Sequence, residues 1–206
     1  MNQRWLSVLA RIVQGNLFTH YFLCEGVRQT PEYQQSDDQS LSAMLQELRK
    51  CYLALRSVQA PDEADTEDNL IKPILEKLGF HYSRQKTPQQ SARDRPDFLL
   101  FADAESKRKA QQDTAHYYQY GVAILEAKRF ERPLDRRGGD PLDPGTPSNQ
   151  ILRYLSSVEI ASNGKILWGI LTNGRLWRLY YHKAKSRTER SNGRSKRLAS
   201  KIATPY

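Results

Sequence analysis

Apolar residues recur along the chain with two periods, and these periods separate predicted helices from predicted strands. Spacings of three to four residues predict amphipathic helices over residues 5–13, 17–27, 40–58, 66–79 and 147–162. Alternating or continuous apolar runs predict strands over residues 80–83, 97–102, 121–129, 166–172 and 175–181. From residue 66 the order is helix, three strands, helix and two strands. This order predicts an α/β (α+β) fold, in which helices flank a mixed sheet.

Capping residues sharpen the helix boundaries. Thr66 is the predicted N-cap of a helix that ends at Gly79. Pro73 should bend this helix, unless the helix starts near Asn69 and Pro73 falls in its first turn. With the earlier start, Glu67 belongs to a stripe that faces the core, and the other members of that stripe are Ile71, Ile74 and Leu78.

Turn residues define the remaining connections. Thr146 followed by Pro147 predicts the start of the later helix. Asn173-Gly174, between two alternating segments, predicts a β-hairpin with a type I′ turn. The hydrophilic residues 103–119 are expected to extend a hairpin between the second and third strands, and residues 30–40 are expected to form a loop.

Composition adds the expected location and the nature of a partner. The net charge is +9, and residues 182–206 hold eight basic residues and one acid, so the body of the chain is nearly neutral. This basic tail indicates nucleic acid or an acidic partner, or else a solvated and disordered end. The sequence contains no signal-peptide pattern and no apolar run of membrane-spanning length. Cys24 and Cys51 lie in helix-like patterns without metal-ligand spacing, as core residues of a protein in a reducing compartment would. Together with the missing membrane-spanning run, this predicts a cytoplasmic protein that is not bound to a membrane.

The candidate chemistry lies at the ends of two neighbouring predicted strands. Side chains alternate along a strand, so Glu126 and Lys128 share one face, with Val122 and Ile124 behind them. Asp97 opens the preceding strand. Asp97, Glu126 and the Ala127 carbonyl could bind Mg²⁺, while Lys128 could hold an attacking water and stabilise developing negative charge. This set predicts a metal-dependent phosphodiesterase.

Together with other motifs, these residues give the chain a family resemblance. Pro96-Asp97 followed by Glu126-Ala127-Lys128 resembles the PD-(D/E)xK nuclease superfamily. The segments 66–80 and 169–180 and the pair Gln150-x-x-x-Tyr154 are similar to the N-terminal endonuclease domain of type IIG restriction–modification enzymes, which are related to type I restriction subunits.

The resemblance implies a restriction-endonuclease-like fold with an αβββαβ core and a C-terminal hairpin, and Mg²⁺-dependent cleavage of double-stranded DNA. It implies metal binding by Asp97, Glu126 and Glu67, and assistance to the water by Lys128. Gln150 and Tyr154 would line the site and help to position the scissile phosphate. The expected organisation is a helical region (1–60), a nuclease core (61–182) and the basic tail (183–206).

The same residues leave other interpretations open. An acid in a first helical turn, such as Glu67, can simply complement the helix dipole, and Gln150 and Tyr154 can belong to an ordinary half-exposed helix face. The chain lacks the glycine-rich cofactor loop and the catalytic motif of a methyltransferase, so we expect an excised or truncated form, or a subunit that works with a separate methyltransferase or specificity subunit. The alternative function is a catalytically inactive remnant that binds DNA or docks to a partner.

Overall fold

The computed structural model describes residues 17–35, 37–84, 95–137 and 145–184. The chain divides into two compact units, Glu47–Lys183 and the remainder, and the boundary at Glu47 falls inside a long helix. The predicted helix over residues 5–13, most of the loop at 84–95 and nearly all of the basic tail lie outside the described residues. No helix of the described ranges is both long and apolar enough to cross a lipid bilayer.

Short helices and the beginning of a long helix make up the described part of the first unit. Thr19 caps α1 (His20–Cys24) by accepting a hydrogen bond from the Phe22 backbone N–H. A 3₁₀ turn (Gly26–Gln29) follows, and α2 (Pro31–Gln34) occupies part of the segment that was predicted to be a loop. That prediction was wrong because Thr30 caps a helical turn that begins with a proline. The amphipathic helix predicted over residues 40–58 is confirmed as α3 (Asp38–Ser57).

A five-stranded mixed sheet forms the centre of the second unit and confirms the predicted fold class. The strands lie in the order β1 (His81–Arg84), β2 (Phe98–Phe101), β3 (Ala123–Ala127), β4 (Trp168–Thr172) and β5 (Trp177–Tyr181). All neighbouring pairs are antiparallel except β3 and β4, which are parallel. The helix α7 (Pro147–Ala161) lies between these two strands in the chain, as a parallel pair requires a crossover.

Every residue of β2 and β3 is buried, because helices cover both faces of the sheet. On one face, Leu99 and Ile124 belong to the same core cluster as Ile151 and Leu155 of α7. On the other face, the cluster combines strand residues with two helix residues, and its fully buried members are Ile71, Leu75, Phe98, Leu100, Leu125 and Ala127. Val122, expected behind Glu126, instead precedes β3 and is exposed.

The helix predicted to start at Thr66 begins earlier and changes its winding. It comprises α4 (Glu63–Thr66), a π-helical turn (Glu67–Ile71) and α5 (Lys72–Lys77). Asp62, not Thr66, is the N-cap, and its side chain and that of Asp65 each accept the other's backbone N–H. The helix ends at Gly79 as predicted, with φ of +81°.

Pro73 provides the physical reason for the wide turn. It has no N–H to donate to the preceding turn, and its ring crowds the carbonyl four residues back. The Lys72 N–H bonds instead to the carbonyl of Glu67, five residues earlier. The predicted stripe is therefore wrong in part: Glu67 and Ile71 are buried, but Leu78 is exposed and Leu75 takes a core position.

Two connections also differ from the predictions. Residues 103–119 do not extend a hairpin: they form α6 (Ala104–Gln112) and most of a 3₁₀ segment (Thr114–Tyr120), started by the caps Asp103 and Asp113. The last two strands do form a hairpin, but Gly174 has φ of +79° while Asn173 keeps a negative φ, so the turn is not type I′. The buried Asn173 amide causes this, because its oxygen accepts the N–H groups of Arg175 and Leu176.

The helix predicted over residues 147–162 is confirmed. Thr146 accepts a hydrogen bond from the Asn149 N–H, and Pro147 occupies the first turn. Asn163 and Gly164 end the helix with positive φ angles of 53° and 78°.

Candidate metal and phosphodiesterase site

Asp97 and Glu126 lie where β2 begins and β3 ends. The antiparallel register pairs Phe98 with Leu125, and one more step sets Asp97 opposite Glu126. The Ala127 N–H donates to Asp97 Oδ2 over 2.8 Å, and the Asp97 N–H donates to Glu126 Oε2 over 3.3 Å. One hydrogen bond thus joins Asp97 to the Glu126 carboxylate, and the other joins the Asp97 carboxylate to the backbone of the next residue, Ala127.

Lys128 follows directly after β3 and shares a face with Glu126, as the strand alternation predicts. Lys128 Nζ donates to Glu126 Oε1 over 2.6 Å, and both side chains are buried. The Lys128 N–H bonds to the Thr172 carbonyl over 2.8 Å, which attaches this position to β4. The ammonium group is therefore held inside the protein by two neighbouring strands.

Glu67 enters the site from the π-helical turn. Its carboxylate is buried and forms an ion pair with Arg84 at the end of β1, where Nη2 lies 3.1 Å from Oε2. One turn earlier, Glu63 also points towards this region. Ligand oxygens of Glu63, Glu67 and Asp97 all lie within 4.8 Å of one another, whereas Glu126 is not a member of this group.

Two of these site residues were missed by the sequence reasoning. Residues 61–68 contain five acids, and the sequence analysis assigned Glu63 no role among them. The spacing of four residues between Glu63 and Glu67 was the available signal, since such residues share a helix face. Arg84 had no signal, because a single arginine at the end of a short strand is common.

The acids perturb one another electrostatically. Burial raises the pKa of Glu126 to about 8, with Asp97 adding to the rise and Lys128 opposing it. Burial and Asp97 also raise the pKa of Glu67 against the effect of Arg84. Burial disfavours the Lys128 ammonium, but Glu126, Glu63 and Asp97 outweigh burial and raise its pKa. The site therefore concentrates negative potential and retains a protonated lysine.

Tyr154 and Gln150 approach from α7. Tyr154 is buried, and its pKa is raised by burial first and by the charge of Glu126 second. Gln150 Nε2 donates to the Tyr154 hydroxyl over 2.7 Å. The structure thus brings Tyr154 towards Glu126, and Gln150 joins the site through Tyr154.

The donor set fits a hard divalent cation. Glu63, Glu67 and Asp97 supply oxygen atoms close enough to share one ion, which is the ligand type that Mg²⁺ and Ca²⁺ prefer. Glu126, which accepts a hydrogen bond from the Asp97 N–H, adjoins this group and could complete the shell. Acidic clusters of this kind also occur without an ion. The buried Lys128 beside this cluster is the feature that a simple acidic surface would not require.

Ser156, His182 and Glu159 are arranged in the order of a catalytic triad, but they cannot act as one. Ser156 Oγ lies 3.1 Å from His182 Nε2, and His182 Nδ1 lies 2.8 Å from Glu159 Oε2. Ser156, however, is inside α7, and its hydroxyl donates to the Leu152 carbonyl over 3.1 Å. The N–H groups around it belong to the helix and cannot form an oxyanion hole.

Comparisons with known proteins do not assign this site. No family model, no curated protein and no solved structure matches the chain.

Proposed function

We propose that this protein hydrolyses phosphodiester bonds of double-stranded DNA with the help of Mg²⁺, as an endonuclease of a restriction–modification system. The observation that carries the proposal is the connection between Asp97 and the segment Glu126-Ala127-Lys128. Two backbone N–H groups bond across the two strand ends, and a carboxylate and an ammonium are buried next to them.

The cost of these charges supports a functional role. A buried ion pair such as Glu126–Lys128 contributes little net stability, because removing both charges from water offsets their attraction. Asp97 adds a further negative charge beside Glu126 and raises its pKa. Strongly shifted groups that converge in this way are candidates for chemistry.

The order of elements around the site also supports the proposal. A helix carries Glu67, Asp97 directly precedes β2, and β3 carries Glu126. The helix α7 carries Tyr154, and β4 pairs in parallel with β3. We propose that this arrangement is the αβββαβ core of a restriction-endonuclease-like fold, with β4 and β5 as its closing hairpin.

The proposed roles follow from position. Asp97, with Glu67, Glu63, Glu126 and the Ala127 carbonyl, would hold the cation. A bound Mg²⁺ supplies a Lewis acid for the phosphate oxygens and lowers the pKa of a water molecule. Lys128 would orient the attacking water and stabilise negative charge that develops on the phosphate. Tyr154, held by Gln150, would contact the phosphate from the α7 side.

Recognition of a DNA sequence requires contacts to the bases, in addition to the phosphate contacts proposed for this site. Groups that bind phosphate position DNA but carry no sequence information. We therefore propose that a separate methyltransferase or specificity subunit selects the DNA target.

The test is nicking of supercoiled plasmid DNA by the full chain in the presence of Mg²⁺. We expect Asp97→Asn and Lys128→Met each to lower the rate by about 100-fold or more, the magnitude seen when a group that stabilises a transition state is removed. Glu105→Gln and Lys109→Met are matched controls, because they change an exposed acid–base pair on α6, and they should keep the wild-type rate.

Three outcomes distinguish the alternatives. Cleavage that survives both site substitutions, or that continues in EDTA, excludes the proposed chemistry. Salt-sensitive DNA binding by the wild type without cleavage supports the inactive DNA-binding alternative. Loss of cleavage in the α6 controls would indicate that the assay responds to folding instead of to the site.

A further inference from the structure

Arg84 is placed at the edge of the acidic cluster by strand pairing. It is the last residue of β1 and pairs with Phe98, the residue after Asp97. Its Nη2 lies 3.1 Å from Oε2 and 3.3 Å from Oε1 of Glu67. The two partners differ in exposure: the Arg84 side chain is 57% exposed and that of Glu67 only 2%.

The geometry of the ion pair between Arg84 and Glu67 would allow another cation to replace Arg84. Both distances come from one nitrogen, so the guanidinium does not form the two-nitrogen fork that holds a carboxylate most firmly. The exposed arginine can turn away into solvent, whereas the buried glutamate has little freedom to follow.

A divalent cation would compete with Arg84 for the same carboxylate. Glu67 shares the cluster with Glu63 and Asp97, so an ion bound there would sit beside the guanidinium. Like charges repel, and the exposed partner is the one that can move. The released guanidinium would then lie at the mouth of the site, with five donors suited to phosphate oxygens.

We propose that Arg84 is a phosphate-binding arm that Glu67 holds in place until a divalent cation takes over the Glu67 carboxylate. This proposal rests on the proposed nuclease function. Its ligand is a backbone phosphate of DNA next to the cleaved bond. Cation binding and DNA binding are thereby coupled through one side chain, which is bound to Glu67 in the free protein and to DNA in the complex.

The test measures cation binding and DNA binding separately for Arg84→Met and Arg84→Lys. Arg108→Met is the matched control, because Arg108 also pairs with a glutamate, Glu105, and its side chain is 56% exposed. Mg²⁺ affinity is measured by calorimetry without DNA. Affinity for a DNA duplex is measured in Ca²⁺ over a series of salt concentrations, with thermal unfolding as a check on folding.

Arg84→Met should bind Mg²⁺ about three- to tenfold more tightly than the wild type, because a competing cation has been removed from Glu67. The slope of log affinity for DNA against log salt should become shallower by roughly 0.9, the value for one lost phosphate contact. Arg84→Lys should keep the wild-type slope, and Arg108→Met should bind Mg²⁺ like the wild type.

Either of two results overturns this role for Arg84. One is a Mg²⁺ affinity of Arg84→Met equal to that of Arg108→Met, and the other is an unchanged salt slope. If Mg²⁺ binding and cleavage by the wild type are normal, such a result removes the Arg84 proposal alone. A wild-type protein that binds no Mg²⁺ overturns the proposed function as well.

Discussion

At the scale of single residues, Asp97 has two opposing effects on the fold. Its Oδ2 accepts the Ala127 N–H and so connects β2 to β3. Its charge, however, raises the pKa of both Glu67 and Glu126. An acid whose pKa is raised in the folded state stabilises that state at low pH, and this stabilisation is lost as pH rises through the folded pKa. Without a cation, these two acids should therefore make the free energy of unfolding fall between pH 4.5 and about 8.

Asp97→Asn should reduce this loss of stability, because asparagine keeps an oxygen acceptor for the Ala127 N–H and removes the repelling charge. Two charges about 4 Å apart repel by ~4 kcal/mol at an effective dielectric constant of 20. Asp97 is partly exposed, so we expect a gain of about 1 kcal/mol above pH 8 and almost none near pH 4.5. Urea unfolding in EDTA at both pH values measures the difference.

The control for this prediction is Glu105→Gln. Glu105 is exposed, and its Arg108 partner lowers its pKa, so it titrates below the relevant range. A variant Asp97→Asn whose stability declines with pH as steeply as that of the wild type would contradict the prediction.

At the scale of elements, the end of α4 and the chain after β3 are joined by the hydroxyl group of one residue, Thr66. Thr66 Oγ1 donates to the Asp62 carbonyl over 2.7 Å and accepts the Phe130 N–H over 3.0 Å. The methyl group of Thr66 also lies close to Gly174, where an added Cβ would come within 3.3 Å of it. Thr66 thus sets the spacing between Glu67 and the segment that follows Lys128.

Thr66→Val should lower the free energy of unfolding by about 1–3 kcal/mol, because the part-buried Phe130 N–H loses its acceptor. It should also raise the Mg²⁺ concentration needed for half-saturation, since Glu67 is no longer held at a fixed distance. Thr66→Ser keeps the hydroxyl and should retain the wild-type Mg²⁺ requirement. Equal Mg²⁺ binding by the valine and serine variants would rule out this positioning role.

The sequence predicted elements better than their irregularities. The existence of the five strands and the juxtaposition of Asp97 with Glu126 follow from hydrophobic patterning, because an antiparallel register leaves few ways to pair two short buried strands. Pro73 predicted a bend in the helix, but it did not predict that the bend would take the form of a π-helical turn. The prediction of a type I′ turn was wrong because the Asn173 amide donates to the Arg132 carbonyl, a partner 41 residues away in the chain.

Some residues of the candidate site could be predicted from local sequence pattern, and others could not. Glu126 and Lys128 could be assigned to one face from the period of a strand alone, and Lys128 Nζ lies 2.6 Å from Glu126 Oε1. Glu63 was missed although its spacing of four residues from Glu67 is a local signal. Arg84 could not be assigned, because its approach to Glu67 depends on the packing of a helix against an edge strand. Local pattern therefore predicts which residues share a strand, and tertiary packing decides which of the remaining charges join them.

At the scale of the whole molecule, cation binding should stabilise the fold. The proposed ion binds the folded site and has no comparable site in the unfolded chain, so stability should rise by about 2.7 kcal/mol at a free Mg²⁺ concentration 100 times the Kd. We expect a higher melting temperature in MgCl₂ than in NaCl of equal ionic strength. Asp97→Asn should abolish the difference. An equal gain in both salts, or in the variant, would indicate a general salt effect.

The parallel pairing of β3 with β4 has a consequence for the order of events during synthesis. Glu126 and Lys128 leave the ribosome on a strand that stays unpaired on one side until Trp168–Thr172 have also emerged. The intervening segment includes α7, so this pairing forms only after a long loop has closed. A nascent chain that already contains Glu63, Glu67, Asp97, Glu126 and Lys128 is thus expected to lack the proposed activity until β4 and β5 have been made.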